Sequence, residues 1–252
     1  MSKVKQTAYS PPELFFPERP NYRELPWLTL GATDSAHKVF FVSNGNGPLA
    51  VKAYVGEKAR ARATHEKNML NLIREAGFLT LTPTGVQENR DGSAAFLLTQ
   101  YVPDLSSMSS VVQNRSHDVA QQVRRTAATL GGYNGLGLSH GDAQIKNFVI
   151  DPRAKRHIMV IDPEKGGSQE FGHIKNDPFQ HDLDSLVQSL AYKGYGGKNP
   201  NQAGDKIIED VITPYVLGAE RVGTSGFDPH QIGETALTTF LDKHSDVNYR
   251  NS

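Results

Sequence analysis

Two short apolar runs, residues 148–150 and 158–161, flank a charged stretch at 151–156. Runs of this length bounded by polar turn-formers predict strands, and two of them joined by a tight turn predict an antiparallel hairpin. Strand-like patterning also occurs upstream, at residues 28–31, 38–43 and 48–54, with Asn44-Gly45-Asn46-Gly47 as a hairpin turn. Residues 85–102 predict another hairpin around Asn89-Arg90-Asp91-Gly92, and its second arm reads as a buried strand.

The helical period appears first at residues 57–76, where Met69, Leu70 and Ile73 mark one face and Gly77 ends the run. Glu66 precedes those three by three, four and seven residues. A carboxylate on a buried stripe is costly unless it is paired. Helices are also predicted over 117–134, from Gln180 onward, and over 205–217 and 229–241. Residues 1–27 carry Pro11, Pro12, Pro17, Pro20 and Pro26 among aromatics, which excludes a long helix and predicts an extended arm. Residues 246–252 read as a frayed end.

Composition narrows the chemistry. The chain has 252 residues, enough for one large domain or two small lobes. Its formal net charge is zero with no block of like charges, so a nucleic-acid-binding face is not indicated. It contains no cysteine, which removes disulfides, thiolate metal sites and cysteine nucleophiles. No run approaches the ~20 apolar residues of a membrane span, and the first residues lack the apolar core of a signal peptide. A cytoplasmic protein is the expectation.

The central hairpin then acquires a chemical meaning. Its open ends lie about 5 Å apart between backbones. Asn147 stands just before the first strand and Asp162 just after the second, with Asp142 and His140 a few residues upstream. Each alone is an ordinary turn residue. Together they supply two carboxylates and a carboxamide, a set that could hold a divalent cation and orient a hydroxyl.

His140-Gly141-Asp142, an asparagine five residues on, two strands and then Asp162 resemble the catalytic and metal loops of the protein-kinase-like superfamily. The resemblance spans about residues 28–190. It implies an α+β, two-lobed fold. Residues 28–102 would form an ATP-covering lobe of antiparallel sheet and one helix, and residues 103–252 a mainly helical lobe with both loops. The implied cofactors are ATP and Mg²⁺, with Mn²⁺ as the alternative. Asn147 and Asp162 would be the metal ligands, with Glu164 added, and Asp142 the base. Lys146 would reach the transferring phosphate, while His140 braces the loop.

Lys52 in Ala50-Val51-Lys52 resembles the strand lysine that pairs with the α/β-phosphates, and Glu66 its helix partner, with Glu57 or Glu75 as fallback. Gly31 and Ser35 occupy the place of the phosphate-covering loop. Gln100, Tyr101 and Val102 occupy that of the adenine-binding hinge, with Thr99 at the back wall. Asp182 corresponds to the helix aspartate that anchors the catalytic loop; helix capping by Asp182 or Asp184 is the alternative.

The departures from the pattern carry information. Gly141 replaces the arginine that clamps an activation-loop phosphate, and Pro163 replaces the packing phenylalanine of D-F-G. Only one helix is predicted between hinge and catalytic loop, without the insertion of aminoglycoside phosphotransferases. These features resemble RIO-type and lipopolysaccharide-core kinases. The implied function is transfer of the γ-phosphate to a hydroxyl, with a protein Ser/Thr preferred as acceptor and a saccharide or other small molecule as the alternative. A nucleotide-binding pseudokinase is the rival from another class, and nucleotidyl transfer would reuse the same metal ligands.

Overall fold

The hairpin patterning near residue 50 builds the first sheet of the protein, here a computed structural model. The structure describes residues 39–44, 47–88, 92, 94–115, 118–151, 157–163, 166–168, 177–223 and 227–250. The N-terminal arm, Gly31, Ser35 and Glu164 lie outside the described residues. The chain divides into two compact units, one made of the chain up to Thr64 with Pro83–Tyr101, the other of His65–Thr82 with Val102 onward.

In the first unit, β1 (Val39–Asn44), β2 (Gly47–Val55), β3 (Pro83–Glu88) and β4 (Ala94–Gln100) form an antiparallel sheet in the order β1-β2-β4-β3. Asn44 pairs with Gly47 at the end of the β1–β2 ladder, the position at which the Asn-Gly repeat predicts the chain to reverse. Side chains alternate across a strand. Val51, Ala53 and Leu98 therefore share one face with Leu49 and Phe96. Lys52 and Tyr54 point to the other.

Helix α1 (Ala59–Glu75) ends in a Schellman arrangement. The Phe78 N–H reaches Ile73 O at 3.0 Å and the Gly77 N–H reaches Arg74 O at 2.9 Å, with Gly77 at φ +86°. In the second unit, Phe78 then packs edge-on against Tyr133, ring centroids 5.9 Å apart. The following loop is stitched to a strand of that unit: Val160 N–H donates to Leu79 O at 2.9 Å, and the Thr80 hydroxyl to Val160 O.

The second unit is mainly helical. Its core centres on Leu130, Tyr133, Phe148, Leu186, Tyr215 and Phe240, all buried. The antiparallel sheet in the N-terminal part and the helices in the C-terminal part are the α+β fold expected from sequence. Several boundaries differ. A six-residue helix, α2 (Met108–Gln113), lies between the expected hinge and α3 (Val119–Gly135), too short to leave a periodic signal. Strand β5 (Ser106–Ser107) precedes it and pairs with the central hairpin.

The helix expected over 205–217 is instead a continuous run of α5 (Pro200–Ile207), a π-turn over Ile208–Ile212 and α6 (Thr213–Val222). Pro214 explains the widening. It has no N–H to donate, and its ring would clash with the carbonyl four residues back in a regular helix. Helix α7 (Pro229–Arg250) runs well past the expected end at residue 241 and takes up most of the tail expected to fray. Among the described residues, no helix is long and apolar enough to cross a membrane.

Candidate active site

The hairpin expected from the two apolar runs is β7 (Phe148–Asp151) against β8 (His157–Val160), in register Phe148 with Val160 and Asp151 with His157. One further bond, Ile161 N–H to Asn147 O at 3.0 Å, extends the ladder past the strand ends. Asn147 thus sits across from Ile161, the neighbour of Asp162. Asp162 itself adopts φ +59°, the left-handed region that aspartate tolerates better than most non-glycine residues. That single residue turns the chain out of the strand and leaves its carboxylate half-exposed.

The chain is then caught at once. Gly166 N–H closes a turn onto Pro163 O at 3.0 Å, and β9 (Gly167–Ser168) pairs with β6 (Leu138–Ser139). Only glycine fits at 166, because a Cβ there would stand 2.6 Å from Ser139 O. His65 Nε2 on α1 donates to Gly166 O at 2.9 Å. The acidic loop is therefore pinned to the catalytic loop's entry and to α1.

Asp182 on α4 (Pro178–Tyr192) anchors the catalytic loop. Its carboxylate accepts the His140 N–H at 2.7 Å, the Gly141 N–H at 2.8 Å and the Asn134 amide at 3.0 Å. Capping of α4 falls to Asp177, which accepts from Phe179 and Gln180. The capping alternative for Asp182 is thereby set aside. Burial pushes the Asp182 carboxyl above the usual carboxylate range, opposed by the hydrogen bonds from His140, Asn134 and Gly141. Burial, and secondarily the charge of Asp182, also raises the phenols of Tyr133 and Tyr215.

His140 is fully buried and braces the loop through both ring nitrogens. Nε2 faces Ile161 O at 2.9 Å, and Nδ1 faces the Asp142 N–H at 3.3 Å. A carbonyl only accepts and an N–H only donates, so the ring is the neutral tautomer with its proton on Nε2. The imidazole ties the residue before Asp162 to Asp142 itself.

Asp142 Oδ1 accepts the Gln144 side-chain amide at 2.8 Å, and Asp142 O accepts Asn147 Nδ2 at 2.7 Å. With its amide nitrogen turned to that carbonyl, Asn147 directs its amide oxygen the opposite way. Asn147 is buried, whereas Asp142, Lys146 and Asp162 are half-exposed. The Ile145 N–H rests on Ser189 Oγ at 2.9 Å, which ties the turn to α4. The donors available to a cation are an amide oxygen and carboxylate oxygens, suited to a hard ion such as Mg²⁺ that keeps part of its water shell. Among the described residues there is no group of three or more His, Cys, Asp or Glu that could form an all-protein cage.

The structure places Asp142, Lys146, Asn147 and Asp162 in one loop-and-hairpin assembly. Glu66 is buried on α1 beside Met69, Leu70 and Ile73, as its period predicts. Lys52 is half-buried on β2, its ammonium 5.2 Å from the centroid of the Tyr54 ring. Gln100 ends β4, exposed, and Val102 follows it, half-buried. Sequence reasoning did not single out Asn134, Gln144, Ser189, Tyr215 or His65. Of these, Gln144 alone had a local signal, lying two residues from Asp142.

The family model for lipopolysaccharide kinases (Kdo/WaaP) matches residues 16–208. No curated protein matches the chain in sequence. Among solved structures, WaaP in complex with acyl carrier protein aligns at a TM-score of 0.53 and 16% identity, covering 90% of this chain and 88% of that one. The likeness supports the fold, and the family favours the saccharide alternative over a protein Ser/Thr acceptor. Kinase activity also displaces the pseudokinase rival. The chain belongs to the lipopolysaccharide kinase (Kdo/WaaP) family, within the protein-kinase-like superfamily, and is a kinase that phosphorylates an alcohol group.

Proposed function

We propose that the protein transfers the γ-phosphate of ATP to a hydroxyl of a lipopolysaccharide-type saccharide. The family match over residues 16–208 carries this reading, and the braced loop from His140 to Asp162 supports it. Asp142 accepts the proton of the acceptor hydroxyl or orients it toward the γ-phosphorus. Asn147 and Asp162, joined by Glu164, hold Mg²⁺, with Mn²⁺ as a substitute. When bound, the ion neutralises charge on the β- and γ-phosphates. Lys146 steadies the transferring phosphoryl group.

Lys52 takes the α/β-phosphates with Glu66 as its partner, Gly31 and Ser35 line the phosphate-covering bend, and Gln100 and Val102 bind adenine. In this reading, residues 28–102 are the ATP-covering lobe and 103–252 the catalytic lobe. Acyl carrier protein is proposed as a partner on the WaaP likeness alone.

The test is incubation with Mg²⁺, separately γ- and α-labelled ATP, and lipopolysaccharide core oligosaccharides beside a panel of protein acceptors. The expected result is γ-label on the oligosaccharide, cut to a small residual rate in Asp142→Ala and Asp162→Ala. Label from the α-position on any acceptor would establish nucleotidyl transfer instead. γ-Label on proteins alone would restore the Ser/Thr reading.

A further inference from the structure

The base proposed above is held by a side chain that has no assigned role. Gln144 Nε2 donates to Asp142 Oδ1 at 2.8 Å. The backbone beneath this contact is fixed on every side. Gln144 N–H returns to Asp142 O at 2.8 Å, Asn147 N–H bonds Gln144 O at 2.8 Å, and Asn147 Nδ2 reaches Asp142 O at 2.7 Å. Ser189 Oγ holds the next residue, Ile145, and itself donates to Leu186 O at 2.8 Å. The amide that grips Asp142 therefore stands on a rigid base.

A carboxylate can present either oxygen by rotating about its terminal bond. A fixed donor on Oδ1 removes that freedom and leaves Oδ2 for another partner. The donor is a neutral amide, so it holds the carboxylate without placing a competing cation at the reaction centre. Positioning of a reacting group to this degree is worth large factors in rate. We propose that Gln144 is a positioning residue: it locks the Asp142 carboxylate so that Oδ2 faces the acceptor hydroxyl. The inference rests on the role given to Asp142.

The experiment replaces Gln144 by methionine, which keeps length and flexibility and lacks the donor. Transfer of γ-label to core oligosaccharide should fall about 10- to 100-fold in kcat, with the KM for ATP within about twofold. In an Asp142→Ala background the same change should cost nothing further, because the group it positions is gone. A merely structural role would lower activity equally in both backgrounds, and that result overturns the inference, as does full kcat in Gln144→Met. A second readout is independent of turnover. In amide NMR spectra, the Gln144 side-chain pair should shift on Asp142→Ala; an unmoved pair also overturns the inference. Failure of wild-type transfer would instead count against the proposed function and leave the NMR result to decide Gln144.

Discussion

Asp182 and His140 lie 42 residues apart in sequence, and the Asp182 carboxylate accepts the His140 backbone N–H at 2.7 Å. The same carboxylate takes Gly141 N–H and the Asn134 amide. One buried side chain thus satisfies donors that would otherwise be stranded under the catalytic loop. Replacing Asp182 by alanine orphans them. At about 1–3 kcal/mol for each unsatisfied buried group, partly relieved by water, Asp182→Ala should cost roughly 3–5 kcal/mol in urea unfolding. Activity should fall in the fraction that remains folded.

Asp162 separates stability from activity. Its φ of +59° is unfavourable for alanine and tolerable for asparagine. Asp162→Asn should therefore unfold within about 0.5 kcal/mol of wild type. Asp162→Ala should be less stable by about 1 kcal/mol. Both should lose γ-phosphate transfer, and Asp162→Asn should retain measurable turnover only at raised Mg²⁺. Equal melting temperatures for the two variants would contradict the backbone argument.

Two neighbouring glycines of α3 should respond with opposite sign. A Cβ at Gly131 would lie 1.9 Å from Tyr215 O on α6, whereas one at Gly132 makes an ordinary contact, 3.4 Å from Phe78 Cζ. Alanine in a helix interior is favoured over glycine by about 1 kcal/mol. Gly132→Ala should gain up to that amount. Gly131→Ala forces α3 and α6 apart and should lose about 1–3 kcal/mol net. Thermal unfolding of the pair decides it.

The buried phenols set an alkaline limit. Tyr133 and Tyr215 titrate above the ordinary tyrosine value because burial disfavours the phenolate. Above about pH 10 the unfolded chain releases these protons while the folded one keeps them, so stability falls as pH rises. Each phenol contributes a slope of about 1.4 kcal/mol per pH unit there and nothing well below pH 10. Tyr215→Phe should lower stability near neutrality by about 1 kcal/mol, through the lost bond to Asn134 Oδ1, yet flatten the alkaline decline by one proton. An unchanged alkaline slope would refute the assignment.

The reading of individual elements shows where local information suffices. β7 and β8 are neighbours in sequence, so strand period and the turn-forming residues between them are enough to pair them. Glu66 fell on the buried face of α1 because the helical period carries it there. The helix expected over 205–217 ran through Pro214, but the pattern showed neither its full extent from α5 to α6 nor the π-turn, because one widened turn leaves no mark on a 3.6-residue period. Helix α2 is under two turns long, below the length at which a period can be seen.

By itself the sequence determined the order of sheet and helix and the hairpin that carries Asn147 and Asp162. It also indicated the superfamily whose loop spacing Asp142 matches. These are decided by contacts within a few residues and by periods of two and 3.6, which a linear chain displays. Only the tertiary structure decided what holds that hairpin still: Tyr215 on Asn134 across 81 residues, His65 on Gly166 across 101, and Asp182 beneath His140. Such bonds depend on which buried donor lacks a partner once the core has closed, and that need does not exist until the chain is folded.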